Sequence, residues 1–139
     1  MKKSNSTESS NACKPLLCEV FNDETKKELQ IGNFVEHDRY LGYELSWSTM
    51  LSVHANPHTF KPLKMTDGWL KEFGFEIEDE SRKQLYFKKN ENNVVYYDLR
   101  TGLVELCGID SASAWQCFSV PSVFFVHKFQ NILFGLNLA

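Results

Sequence analysis

The sequence predicts an α+β domain: a curved antiparallel sheet, or an SH3-like partial barrel, packed by two helices of which the second is C-terminal. Three observations carry that class. Aromatics make up 14% of the 139 residues, with eleven Phe, and such side chains suit strands and helix-on-sheet packing. Between residues 75 and 120, short apolar-alternating runs are separated by turn residues, the pattern of a meander. The chain then closes on "FFVHKFQNILFGL", whose apolar positions recur at helical spacing.

Taken in order, residues 1–27 are rich in Ser, Asn, Lys and Glu without periodicity, a composition that buries too little apolar area to order itself. They read as a flexible polar tail before a single domain at 28–139, although "PLLCEVF" contains a segment able to dock. "LQIGNFV" at 29–35 alternates around a glycine, as a strand with a bulge or tight turn does. "YELSW" and "TMLSVHA" follow as two alternating runs joined by "ST", read as a hairpin. "KPLKMTDGWLKEFGFE" changes period: Thr66 is a good N-cap, Asp67 sits in the first turn, and Gly74 is placed to close the helix. Met65 and Leu70 are spaced for a hydrophobic staple. "FEIED", "QLYFKK", "NVVYYDL", "LVELCG" and "AWQCFSV" are then strands, with "NENN" and "RTG" as turns.

The final helix is expected over 122–136. Projected at about 100° per residue, Phe125, Val126, Phe129, Ile132, Leu133 and Leu136 fall within an arc of roughly 120°, a core-facing stripe. His127, Gln130, Asn131 and Phe134 fall opposite, where lysines and glutamates are the usual choice. An aromatic surface with few charges marks the centre of an interface, so these four residues are the expected binding face for a protein partner. The competing expectation is that the helix is flanked on both sides and its polar groups satisfy backbone or loop hydrogen bonds.

Composition narrows the chemistry. Fifteen Lys and Arg against eighteen Asp and Glu give a formal charge of −3, so no net field draws the chain to a phosphate backbone. An alternative nucleic-acid surface is nonetheless present in "SRKQLYFKKN", where Arg82, Lys83, Lys88 and Lys89 surround Tyr86. Glutamates and Asp79 close by favour a solvated hairpin instead. The four cysteines, Cys13, Cys18, Cys107 and Cys117, are spaced C-x4-C and C-x9-C, unlike the tight pairs of structural zinc sites, and are expected as reduced, partly buried thiols. His54 and His58 form an H-x3-H pair, but Pro57 between them disfavours the helical geometry that places two imidazoles on one ion; His37 adds no third ligand at a telling spacing. Neither a metal nor a cofactor is expected. A thiol enzyme built from Cys107 or Cys117 with His127 and Asp110 is the distant alternative. The chain has no glycine-rich phosphate loop, H-E-x-x-H or nucleophile elbow, and a non-enzymatic module is expected. No export signal is read at the N-terminus, and the closing stretch, interrupted by Lys128, Gln130 and Asn131, is too short to span a bilayer; the cytoplasm is the expected compartment.

Three stretches together resemble a family of small uncharacterised proteins from Bacteroidetes-type bacteria and their phages. "LQIGNFV" is similar to that family's "LRIGNWV", "PLKMTDGWLKEFGF" to "PIPLTEEWLLKFGF", and "VHKFQNILFGL" to "VHQLQNLYFAL", in the same order and from about residue 29 onward. The match places Thr66, Trp69, Leu70, Phe73, Gly74 and Phe75 on the second motif, and Val126, His127, Gln130, Asn131, Phe134 and Leu136 on the third. Lys64, Gly68 and the closing "NLA" depart from it. The resemblance implies domain boundaries and an origin in a phage or mobile element, and it implies no activity.

Overall fold

The computed structural model, which describes residues 20–78, 84–109 and 112–136, is an α+β architecture with two antiparallel sheets and, among the described residues, three α-helices, the last of them C-terminal. The chain divides into two compact units. One combines the residues up to Lys64 with those from Phe125 on; the other is Met65–Phe124. Where one curved sheet is expected there are two, one in each unit.

In the first unit, β1 (Phe34–His37) pairs with β2 (Tyr40–Glu44) across a two-residue turn, and with β3 (Phe60–Lys61) on its other side. Asp38 and Arg39 take the turn at φ 51° and 70°, the left-handed pair whose twist matches a hairpin. "LQIGNFV" is therefore strand only from Phe34. Gly32, at φ 96°, turns the chain before it, and Asn33 is fully buried.

"TMLSVHA" is a helix. α1 runs Trp47–Ala55 with Ser46 as its N-cap, and Ser46 and Thr49 form a reciprocal capping box. The alternation of Leu51, Val53 and Ala55 imitates a strand, but the capping pair satisfies two of the orphan donors of a first turn and decides for helix. Met50 and Val53 pack on a core of Phe21, Leu29, Val35, Leu45 and Phe60. Order also begins earlier than residue 28. Phe21 is buried and its N–H donates to the Phe60 carbonyl, while the Asn22 side chain accepts from Glu24 and Thr25 at the start of a 3-10 helix, Thr25–Glu28. The remainder of the expected tail, 1–19, lies outside the described residues. The C-terminal helix α3 is Val126–Gly135 and packs beside β1. Of the expected stripe, Val126, Phe129 and Leu133 are buried, whereas Phe125 and Ile132 are half-buried and Leu136 is exposed.

The second unit opens with α2 (Asp67–Glu72), capped by the Thr66 hydroxyl as expected and closed by Gly74 at φ 89°. Met65 and Leu70 are both buried, as a staple requires. β4 (Glu76–Ile77), β5 (Leu85–Lys89), β6 (Asn93–Asp98), β7 (Leu103–Ile109) and β8 (Trp115–Val120) form an antiparallel meander in sequence order. Register assigns the faces. Tyr86, Tyr97, Val104 and Val120 make one cross-strand row, with Lys88, Val95, Leu106 and Phe118 beside it. α2 attaches to this face: the Tyr86 hydroxyl donates to Asp67, and Lys88 Nζ donates to the Phe73 carbonyl at 2.8 Å.

Candidate functional site: the open edge of the five-stranded sheet

The expected binding face of α3 is turned largely toward the chain's own residues. His127 is 1% exposed and Gln130 3%. Gln130 Oε1 accepts from the Phe34 N–H at 2.8 Å and its Nε2 donates to the Gly32 carbonyl at 3.0 Å. Asn131 Nδ2 donates to the Glu28 carbonyl at 2.7 Å, and its Oδ1 accepts from Asn33 Nδ2 at 2.9 Å. The Phe134 ring lies against Gly32. The missing lysines and glutamates are explained by what the face holds: it clasps the irregular segment that leads into β1, bonding backbone groups of Glu28, Gly32 and Phe34.

His127 completes the clasp. Its Nε2 lies 2.9 Å from Glu28 Oε1, so the proton on that nitrogen faces a carboxylate. Bonding to His127 holds the Glu28 carboxyl below its ordinary range, against burial, with smaller help from Lys128. The ring is packed edge-on to Phe21, and its Nδ1 is buried without a hydrogen-bond partner. A cleft of about 170 Å³ lies alongside, with Phe21, Glu28, Phe125 and Lys128 among its walls. His127 is thus held in place by a carboxylate on one nitrogen.

Two residues of the basic hairpin, Tyr86 and Lys88, are used within the fold. Tyr86 is 2% exposed, and its hydroxyl is pushed up to about 12 by burial and by the Asp67 carboxylate, so it offers no face for a base to stack on. Lys88 caps the C-terminal end of α2, where a cation meets the helix dipole. Lys89 is exposed on the opposite face, and Arg82 and Lys83 lie outside the described residues. The cysteine reading changes too. Cys107 and Cys117 are joined in a disulfide, so neither presents the thiol that a nucleophile needs; Cys13, Cys18 and Asp110 lie outside the described residues. Among the described residues no group of three His, Cys, Asp or Glu is arranged to hold a metal. His37 instead stacks on Phe60 at 4.2 Å.

What the structure does present is β8. Among the described residues it is the last strand of its sheet, bonded to β7 on one side only. Cys107 and Cys117 sit opposite each other with Cα atoms 4.1 Å apart, the spacing of a non-hydrogen-bonded pair. The Ile109 N–H donates to Asn92 on the β6 side, which gives the same alternation. Gln116, Phe118 and Val120 therefore turn their N–H and C=O groups to β7, while Trp115, Cys117 and Ser119 turn theirs to the open side. Every side chain from Trp115 to Ser119 is exposed, with Trp115 at 58% and Phe118 at 62%. None of the six residues is charged. Natural edge strands are usually blunted by lysines, prolines or bulges, and this one is not. Its signal was readable in "AWQCFSV", an uncharged aromatic strand at the end of a meander. Compared with protein-family models, with curated proteins and with solved structures, the chain matches none of them.

Proposed function

We propose that the protein is a non-enzymatic interaction module that takes an extended segment of a partner protein onto the free edge of β8. The observation that carries this reading is an unblunted, uncharged edge strand whose outward amides are flanked by two exposed aromatic side chains, Trp115 and Phe118. Strand addition draws affinity from main-chain hydrogen bonds and specificity from side chains on alternating faces, and Trp115 and Phe118 lie on opposite faces of β8. The internal use of Tyr86 and Lys88 speaks against the nucleic-acid alternative. An origin in a phage or mobile element is supported by the motif resemblance alone. No described helix is long and apolar enough to cross a membrane.

The test is affinity purification of the tagged chain from its host, with wild type beside Ser119→Pro and Trp115→Ser. Proline at 119 removes an outward-facing donor while leaving the β7-facing amides in place. A stoichiometric protein partner that both substitutions release supports strand addition. A partner that survives Ser119→Pro, or nucleic acid co-eluting in its place, overturns it.

A further inference from the structure

The disulfide lies on the same strand and is asymmetric. Cys107, on β7, is 7% exposed and lies opposite the buried Val94 of β6, whereas Cys117, on the edge strand, is exposed. Five of the six β8 side chains are exposed and Val120 is half-buried, so β8 has little apolar packing, and the disulfide supplements its backbone ladder to β7. A disulfide with its outer cysteine exposed on an edge strand is open to attack by a thiolate.

We propose that Cys107–Cys117 is a thiol-exchange site whose substrate is a reduced thiol and whose reduction releases β8. The attacking thiolate bonds to Sγ of Cys117, the Cys107–Cys117 bond breaks, and Cys107 leaves as a thiolate that takes up a proton. A second thiol then attacks the mixed disulfide: two thiols are oxidised to one disulfide as Cys107 and Cys117 are reduced to thiols. In the reverse direction Cys107, held opposite by the β7–β8 register, attacks the mixed disulfide and expels the thiol. Burial of Cys107 fixes the order of events. A monothiol reaches Cys117 only, so the mixed disulfide trapped by an early acid quench sits there, while a dithiol completes the reduction with its own second sulfur and leaves no adduct.

This chemistry does not require that a partner strand dock at β8, and the two ideas fail separately, because Ser119→Pro leaves both sulfurs in place. The test uses the full chain with Cys13→Ser and Cys18→Ser, so that only this pair reacts. One arm receives reduced glutathione and the other a reduced dithiol protein of the thioredoxin type. Each is quenched in acid and read by intact mass and peptide mapping. Expected are an unalkylated pair before treatment, a single glutathionyl group on Cys117 in the first arm, and two free thiols without adduct in the second. After reduction, the Gln116 and Phe118 amides, which face β7, exchange hydrogen faster by about tenfold or more. A pair that alkylates without reduction, an adduct on Cys107, or resistance to both reagents overturns the exchange site. Unchanged amide protection in the reduced protein overturns the release of β8.

Discussion

Gln130→Leu keeps the volume of a buried side chain and removes both hydrogen bonds that Gln130 makes to the turn before β1. The Phe34 N–H loses the acceptor 2.8 Å away and the Gly32 carbonyl loses the donor at 3.0 Å. A buried polar group deprived of its partner costs about 1–3 kcal/mol. Phe34 and Gly32 are half-buried rather than sealed, so water recovers part of that, and leucine adds about 1 kcal/mol of apolar burial. The expected net loss is about 2–3 kcal/mol. Urea unfolding followed by far-UV circular dichroism measures it, with amide exchange at 28–34 reporting whether the loosening is local. Lys128→Ala, two residues earlier on α3 at an exposed position 3.9 Å from Glu28, is the control and is expected to cost well under about 1 kcal/mol. Gln130→Glu separates the two bonds, because a carboxylate still accepts from Phe34 but has nothing to donate to Gly32. A Gln130→Leu protein within about 0.5 kcal/mol of wild type, the range of ordinary surface changes, would refute the clasp.

Gly102→Ala is expected to cost about 2–4 kcal/mol, since it puts a side chain at φ 73° and a methyl group 2.7 Å from the Phe124 ring; Gly102→Ala with Phe124→Ala recovers the steric part, and urea midpoints of the four proteins show whether it does. Glu28 is easier to ionise in the fold than in the open chain, so its stabilisation is complete above the ordinary value of 4.5 and is lost as pH falls from there through the depressed folded value. Glu28→Gln should flatten that part of the acid-unfolding curve; an unchanged acid limb contradicts it. Of the five tyrosines, Tyr86 and Tyr97 are pushed up to about 12, chiefly by burial. Phenolate absorbance should show two late titrations, one of them removed by Tyr86→Phe. Because the fold favours the neutral phenols, that stability is intact below pH 10 and fades as pH rises toward 12.

The β5–β8 meander and α2 were legible because their signals are local: turn residues between alternating runs, a threonine cap and a closing glycine. α1 was not, because Leu51, Val53 and Ala55 satisfy a period of two by chance, and the deciding Ser46–Thr49 pair is a weaker form of the usual capping box. Its outward face, with Trp47 and Leu51 both exposed, was hidden by the same misreading. The α3 face failed for a different reason. Its amides were identified correctly as unusual, but their partners lie 96 to 103 residues away in sequence, and nothing local says whether a polar group on a helix meets another protein or the chain's own backbone. The α+β class was legible; its division between two sheets was not, since β1–β3 are short and joined through a helix.

The first unit is made of two stretches of chain with the second unit inserted between them. At the point of insertion the Met65 N–H donates to the Phe124 carbonyl at 2.8 Å, and Lys64 bridges to Phe125, so the inserted segment leaves and returns through neighbouring residues. For a chain made from its N-terminus, this reverses the order in which the parts mature. The meander can close on itself as it emerges, but the Phe34 N–H and the carbonyls of Glu28 and Gly32 lack their side-chain partners until α3 has been synthesised. The turn before β1 therefore waits about a hundred residues for those bonds, and truncation before Gln130 would damage that turn more than the meander.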